Sequence, residues 1–200
     1  MLNIELLKSP HAFSANTYLI SSAGEYAVVD PTAPYDEGLC KGNVRYILLT
    51  HTHFDHILEI DSWVNATGAK VVIASCEVDA LKDPMRNCYK LYDGSERGYF
   101  GEAEGIEDGD VLRLGDTEIA YMSTPGHTAG SGTFICDGNA FVGDTVFAGG
   151  GYGRFDLPTG SYPMLLDSIR KVIRLPEETR VYPGHGPSTT IKQYKLDIGR

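Results

Sequence analysis

Between Thr50 and Glu59 the sequence reads THTHFDHILE, three histidines and an aspartate directly after the apolar run Tyr46-Ile47-Leu48-Leu49. Imidazole and carboxylate groups packed this closely gain little structurally unless a cation offsets the cost of desolvating them. Neutral imidazole and carboxylate are borderline-to-hard donors that suit zinc, iron or manganese, and no thiolate stands among them. The segment therefore reads as metal-binding. Two further histidines, His127 and His185, each leave an apolar run through Pro-Gly-His, and Asp144 ends the run Phe141-Val142-Gly143. Of the six histidines only His11 lacks such a setting.

These seven donors exceed what one tetrahedral structural ion uses. In an extended segment His51 and His53 point the same way and can reach one ion. Asp55 and His56 fall where the chain turns toward a helix and can face a second. His127 could complete the first group and His185 the second, with Asp144 able to bridge. Each ion would keep an open position for water, the mark of a catalytic metal.

Donors at strand ends need sheets behind them. Turn residues and apolar runs predict strands at residues 3–7, 17–21, 26–29, 45–49 and 70–74, and again at 111–114, 118–123, 132–136, 140–143 and 179–182. Ile57, Ile60, Trp63 and Val64 recur at helical spacing, with Gly68 as a stop. A second helix starts near Tyr162, with Pro163 in its first turn and Leu165, Ile169, Val172 and Ile173 as an apolar stripe. Residues 83–109 show no clear periodicity and read as a long surface excursion, either of the kind that forms lids or binding loops or one that its tyrosines simply pack down. Strands outnumber helices, and the helices are amphipathic. The expected fold is α/β, two packed sheets with helices outside, a four-layer αββα sandwich. It is expected to form a single domain over residues 1–200, with repeated halves at roughly 1–110 and 111–200.

Composition narrows the function. A net charge of −10 on 200 residues repels a nucleic-acid backbone, so a small-molecule substrate is expected. No long apolar run fits a bilayer, and the start MLNIELLKSPHAF lacks the pattern of a secretory leader, which makes the cytoplasm the expected location. The four cysteines form no CxxC pair, which argues against a disulfide framework, and Cys76 and Cys136 are expected in the core.

Taken in order, His51-Thr52-His53-Phe54-Asp55-His56, Thr124-Pro125-Gly126-His127-Thr128, Gly143-Asp144-Thr145 and Pro183-Gly184-His185-Gly186 resemble the metallo-β-lactamase-fold hydrolases. The resemblance covers most of the chain. It implies the αββα sandwich, a metal site at one edge between the sheets, and His51, His53 and His127 set against Asp55, His56 and His185 with Asp144 bridging. The stretch GDTVFAGGGYGRFDLPTG, residues 143–160, is similar to the GDTLFAG…GRxDxxxG region of glyoxalase II-like hydrolases, with Arg154 and Asp156 on the GRxD. A β-lactamase proper usually has a secretion signal and a cysteine where Asp144 stands. The longer glyoxalase II enzymes add a C-terminal helical domain with glutathione contacts, not expected here because the sequence ends soon after His185. Ile57-Leu58-Glu59 also departs from a glycine pair often found there.

The resemblance implies a metal-dependent hydrolase of a small acyl thioester. Two divalent cations, zinc first and iron or manganese as alternatives, would activate a water that Asp55 orients toward the carbonyl carbon. Arg154 is expected to orient Asp156 or to meet a substrate carboxylate, and Tyr152, beside three glycines, to line the pocket. The family also contains persulfide dioxygenases with a single iron, lactone and ester hydrolases, nucleases, and di-iron redox modules fused to flavodoxin domains. The first two stand as the main alternatives.

Overall fold

The computed structural model describes residues 2–40 and 42–199. Among the described residues, twelve strands form two six-stranded sheets. The first contains β1 (Asn3–Leu7), β2 (Thr17–Ser22), β3 (Glu25–Val29), β4 (Asn43–Leu48), β5 (Lys70–Ala74) and β6 (Glu104–Ile106), side by side in that order. The second runs from β12 (Thr189–Thr190) through β11 (Arg180–Pro183), β10 (Asn139–Gly143), β9 (Gly132–Cys136) and β8 (Thr117–Ser123) to β7 (Val111–Leu114). Each sheet begins as an antiparallel meander: in the first, β3, β4, β5 and β6 then pair in parallel, and in the second a single parallel pair, β10 and β11, is followed by antiparallel β12.

Side-chain alternation sorts the apolar residues into three layers. Leu19, Val28, Ile47, Val71 and Ile73 face outward from the first sheet onto α1 (Ile60–Thr67). Their neighbours Ile20, Ala27, Val29, Leu48 and Val72 face inward, against Ile119, Phe134 and Phe141 of the second sheet. On the far side, Ala140, Val142 and Val181 meet Leu165, Ile169 and Val172 of α3 (Tyr162–Val172) and Ile191 and Tyr194 of α4 (Ile191–Asp197). Three apolar layers separate four layers of backbone, which is the αββα sandwich expected from the sequence. Among the described residues no helix is long and apolar enough to cross a membrane.

Trp63 anchors the first outer layer. It is fully buried, its indole N–H donates to Ala33 O at 2.8 Å, and Tyr35 packs edge-on at 5.2 Å. Trp63→Ala is expected to lower unfolding free energy by about 3–5 kcal/mol, read as a shift of the urea midpoint.

Several expectations need correction. The excursion at 83–109 is not structureless: it holds α2 (Tyr89–Tyr92) and β6, and β6 extends the first sheet beside β5. It is also fastened, because Tyr89 and Tyr99 enter the core and Asn87 donates to the carbonyls of Leu81 and Arg97. Polar residues between the buried tyrosines hide that packing from a periodicity search. The first helix starts at Ile60 rather than Ile57, because Phe54–His56 form a separate 3₁₀ turn. Gly68 does end it, left-handed at φ 65°. Cys136 is buried as expected, but Cys76 is exposed. A 3₁₀ turn at Ser75–Glu77 rotates the cysteine out and Glu77 in. Strand β12 and helix α4 were not anticipated, their sequence STTIKQYKLD having only Ile191, Tyr194 and Leu196 as apolar signal.

Candidate metal centre

All seven donors named from the sequence come together at the ends of β4, β8, β10 and β11. They fall into overlapping groups. His51, His53 and His127 offer donor atoms within 4.8 Å of one another, and so do His51, His56 and Asp144, and Asp55, His56 and His185. Two of the groups are those the spacing suggested, and Asp144 lies between them. Its carboxylate is 3.4 Å from His56 Nε2 and 3.6 Å from both His127 Nε2 and His185 Nε2. His185 Nε2 also approaches Asp55 Oδ2 at 3.1 Å.

Outer hydrogen bonds fix which ring nitrogen faces inward. His56 Nδ1 donates to Asp30 Oδ2 at 2.8 Å and His127 Nδ1 to the Arg154 carbonyl at 2.6 Å, so Nε2 of each ring presents a lone pair to the interior. His51 Nδ1 meets Thr50 Oγ1 at 3.2 Å. His53 turns the other nitrogen inward, its Nδ1 standing 2.9 Å from His127 Nε2. Burial pushes His51 well below the usual imidazole range, with the neighbouring imidazoles adding to it. Burial and then His127 push His53 down to about 3. Burial by itself would raise the Asp144 carboxyl, but His56, His127 and His185 outweigh it and hold it below the carboxylate range. Burial thus keeps His51 and His53 neutral beside the ionised Asp144, whereas at His56 burial is outweighed by the carboxylates of Asp30 and Asp144, which push the imidazole well above its usual range.

Those donors fit divalent cations. The buried atoms His51 Nε2, His56 Nε2 and Asp144 Oδ1 have no hydrogen-bond partner, although buried polar atoms are nearly always paired. Orphaned lone pairs converging on one interior point are what a cation would satisfy.

Two positioning residues escaped the sequence reading. Asp30, left-handed at φ 51° just after β3, accepts from Thr50 N at 2.8 Å and Thr50 Oγ1 at 2.7 Å besides holding His56. The Asp30-Pro31 pair looked only like the end of a strand. Asn16 donates to the carbonyls of Pro183 and Gly186, clasping the loop that carries His185. A lone asparagine before a strand gives no such signal.

A cavity of about 350 Å³ opens over His53, Asp55, His127, Asp144 and His185. Its remaining walls include Phe54, Cys88, Phe147, Arg154 and Leu157. The Arg154 guanidinium makes a two-pronged pair with Asp156 at 2.8 and 2.9 Å, both side chains largely exposed. Tyr152 is placed elsewhere: Gly153 faces the cavity, and Tyr152 turns to a separate hollow beside Ile169 and Tyr194. Residues alternate along this extended segment, so an inward Gly153 sends Tyr152 out. A larger hollow of about 590 Å³, between α1 and β6, contains no histidine.

Two sheets that converge imidazoles and carboxylates on one cavity define a metallo-hydrolase scaffold. The Metallo-beta-lactamase superfamily matches residues 12–185, and the chain belongs to it. It is 30% identical to a beta-lactamase hydrolase-like protein of Agrobacterium fabrum, over 92% of this chain but 46% of that protein, so it spans less than half of that relative. It is 29% identical to the hydroxyacylglutathione hydrolase GloC of Haemophilus influenzae, over 97% of this chain and 95% of that one. Among solved structures, the BLEG-1 B3 metallo-beta-lactamase superposes with a TM-score of 0.86 at 30% identity, covering 98% of this chain and 97% of that one. ETHE1 from Myxococcus xanthus gives 0.75 at 26%, covering 99% and 84%. The protein TTHA1623, solved in a di-iron-bound form, gives 0.79 at 27%, covering 94% and 96%.

Proposed function

We propose that the chain hydrolyses a small acyl thioester with two divalent cations. His51, His53 and His127 would hold one, Asp55, His56 and His185 the other, and Asp144 would reach both. The observation that carries this reading is the paired grouping of donors around Asp144, with His51 Nε2, His56 Nε2 and Asp144 Oδ1 left without a hydrogen-bond partner. Zinc is the first candidate, and iron and manganese suit the same donors. Similarity to a hydroxyacylglutathione hydrolase over nearly the whole of both chains supports the thioester. The cavity volume suits a small molecule, and the negative net charge disfavours nucleic acid.

Bound cations would supply Lewis acidity toward a carbonyl oxygen and lower the pKa of water. The protein's own groups do the rest. Asp55, fixed against His185, orients the attacking water. Phe54, Phe147 and Leu157 narrow the approach and limit bulk water. Arg154 at the cavity wall meets an anionic part of the substrate, while its carbonyl keeps His127 in the tautomer that faces inward. A thiolate leaves without a strong general acid, and no acidic side chain is needed on that side.

The test is turnover of S-lactoylglutathione by purified protein with and without a chelator, beside a lactone and a β-lactam. Chelator-sensitive cleavage of the thioester, with two ions per chain, is expected. A single iron accompanied by oxygen uptake on glutathione persulfide would overturn the reading in favour of an oxygenase. Preferential cleavage of the lactone or β-lactam would keep the hydrolase and replace the substrate.

A further inference from the structure

Glu77 is an acidic side chain buried to 1% exposure, outside the donor cluster. Such a group is costly to bury unless its lone pairs are used. Both oxygens are used, each by a different loop. Oε2 accepts from Thr52 N at 2.8 Å, the amide between His51 and His53. Oε1 accepts from Gly130 N at 3.1 Å, in the loop that follows His127. Gly130 is shaped for this approach, because a Cβ there would collide with Glu77 Cγ and stand 2.7 Å from Cys76 Sγ. One carboxylate therefore spans the first sheet's histidine loop and the second sheet's.

We propose that Glu77 is a positioning residue that sets the separation of His53 from His127, and with it the affinity of the His51, His53 and His127 group for a divalent cation. The proposal rests on the metal-dependent reading above. A neutral residue could fill the same space, but only a carboxylate offers two acceptors from one rigid plane. His53 Nδ1 and His127 Nε2 stand 2.9 Å apart, and a shift of either loop changes that spacing directly. The Asp55, His56 and His185 group has no hydrogen bond to Glu77 and is held by Asp30 and Asn16 instead.

Glu77→Gln keeps the shape and one acceptor but aims an NH₂ at a backbone N–H. Glu77→Asp keeps the charge and falls short of one loop. Full-length wild type and both variants would be titrated with Co²⁺ and Zn²⁺ against a competing chelator, following the Co²⁺ ligand-field bands and the melting temperature. The expected result is selective. One of the two ions weakens about 10- to 100-fold, as for other residues that support metal ligands, the second ion is unchanged, and kcat falls more than KM rises. Should Glu77→Gln fail to fold, Glu77→Asp is read in the same way. A variant that melts lower yet binds both ions as wild type does would overturn the proposal and leave Glu77 a purely structural buried acid. Wild-type protein that binds neither cation would overturn the metal-dependent reading as well, so the two failures are distinguishable.

Discussion

Asp144→Ala is expected to lower kcat/KM about a thousandfold or more, and to strip at least one of two bound ions. The carboxylate lies within 3.6 Å of three imidazoles and belongs to a donor group with His51 and His56, so its removal leaves each half of the site short of an anionic donor. Losing several kcal/mol of charge stabilisation in the transition state amounts to about three powers of ten in rate. The fold should survive. Asp144 Oδ1 has no hydrogen-bond partner, and deleting a buried carboxylate removes a desolvation penalty along with its attractions to the imidazoles. Metal analysis, steady-state kinetics and melting in chelator together check this. Full activity with both ions retained would refute the ligand assignment.

Gly184→Ala should have a comparable effect without removing any donor. A Cβ at residue 184 would overlap Asp144 Oδ1 and stand 2.6 Å from His56 Cε1. Gly184 is not in the left-handed region, so alanine is no strain on the backbone itself, and the cost falls on the side chains it pushes. Its position is pinned on both sides, since Gly184 N donates to Gly143 O at 2.8 Å and Gly184 O accepts from Asn16 N at 2.6 Å. With no room to retreat, the methyl displaces Asp144 and His56. Metal affinity is expected to fall about 100-fold, comparable to losing a residue that orients a ligand. Chelator competition measures it, and a circular dichroism spectrum like that of wild type shows that the fold is intact. Wild-type affinity would mean that the site tolerates movement of those two side chains.

The donors were legible because their surroundings were. His51, His127 and His185 each terminate an apolar run, and a polar group there has to leave the core at a predictable place. The sandwich was legible for a related reason: residues such as Leu19 and Ile20, or Ile47 and Leu48, send adjacent side chains to opposite faces, which only a sheet covered on both sides accepts. What escaped notice was support that acts across long separations in sequence. Asp30 reaches Thr50 and His56, Asn16 reaches Pro183, and Glu77 reaches Gly130, and no local pattern encodes such partners. Tyr152 failed for a local reason, the parity of one extended segment. The sequence near Cys76 misled because a 3₁₀ turn follows β5 and rotates a residue beside an apolar stretch outward.

The donor loops have one property that reaches beyond chemistry. His51, His53, Asp55 and His56 follow a strand of the first sheet, while His127, Asp144 and His185 follow strands of the second, and every candidate group draws from both. Neither half on its own could assemble a complete set of ligands. A cation held there would act as a clasp between two sheets otherwise joined mainly through a greasy interior, and it would favour only the state in which both halves are docked. Metal content would then double as a record of successful assembly: a fragment pair, or a misfolded chain with its halves apart, would be expected to emerge empty, and added metal to draw separated halves together.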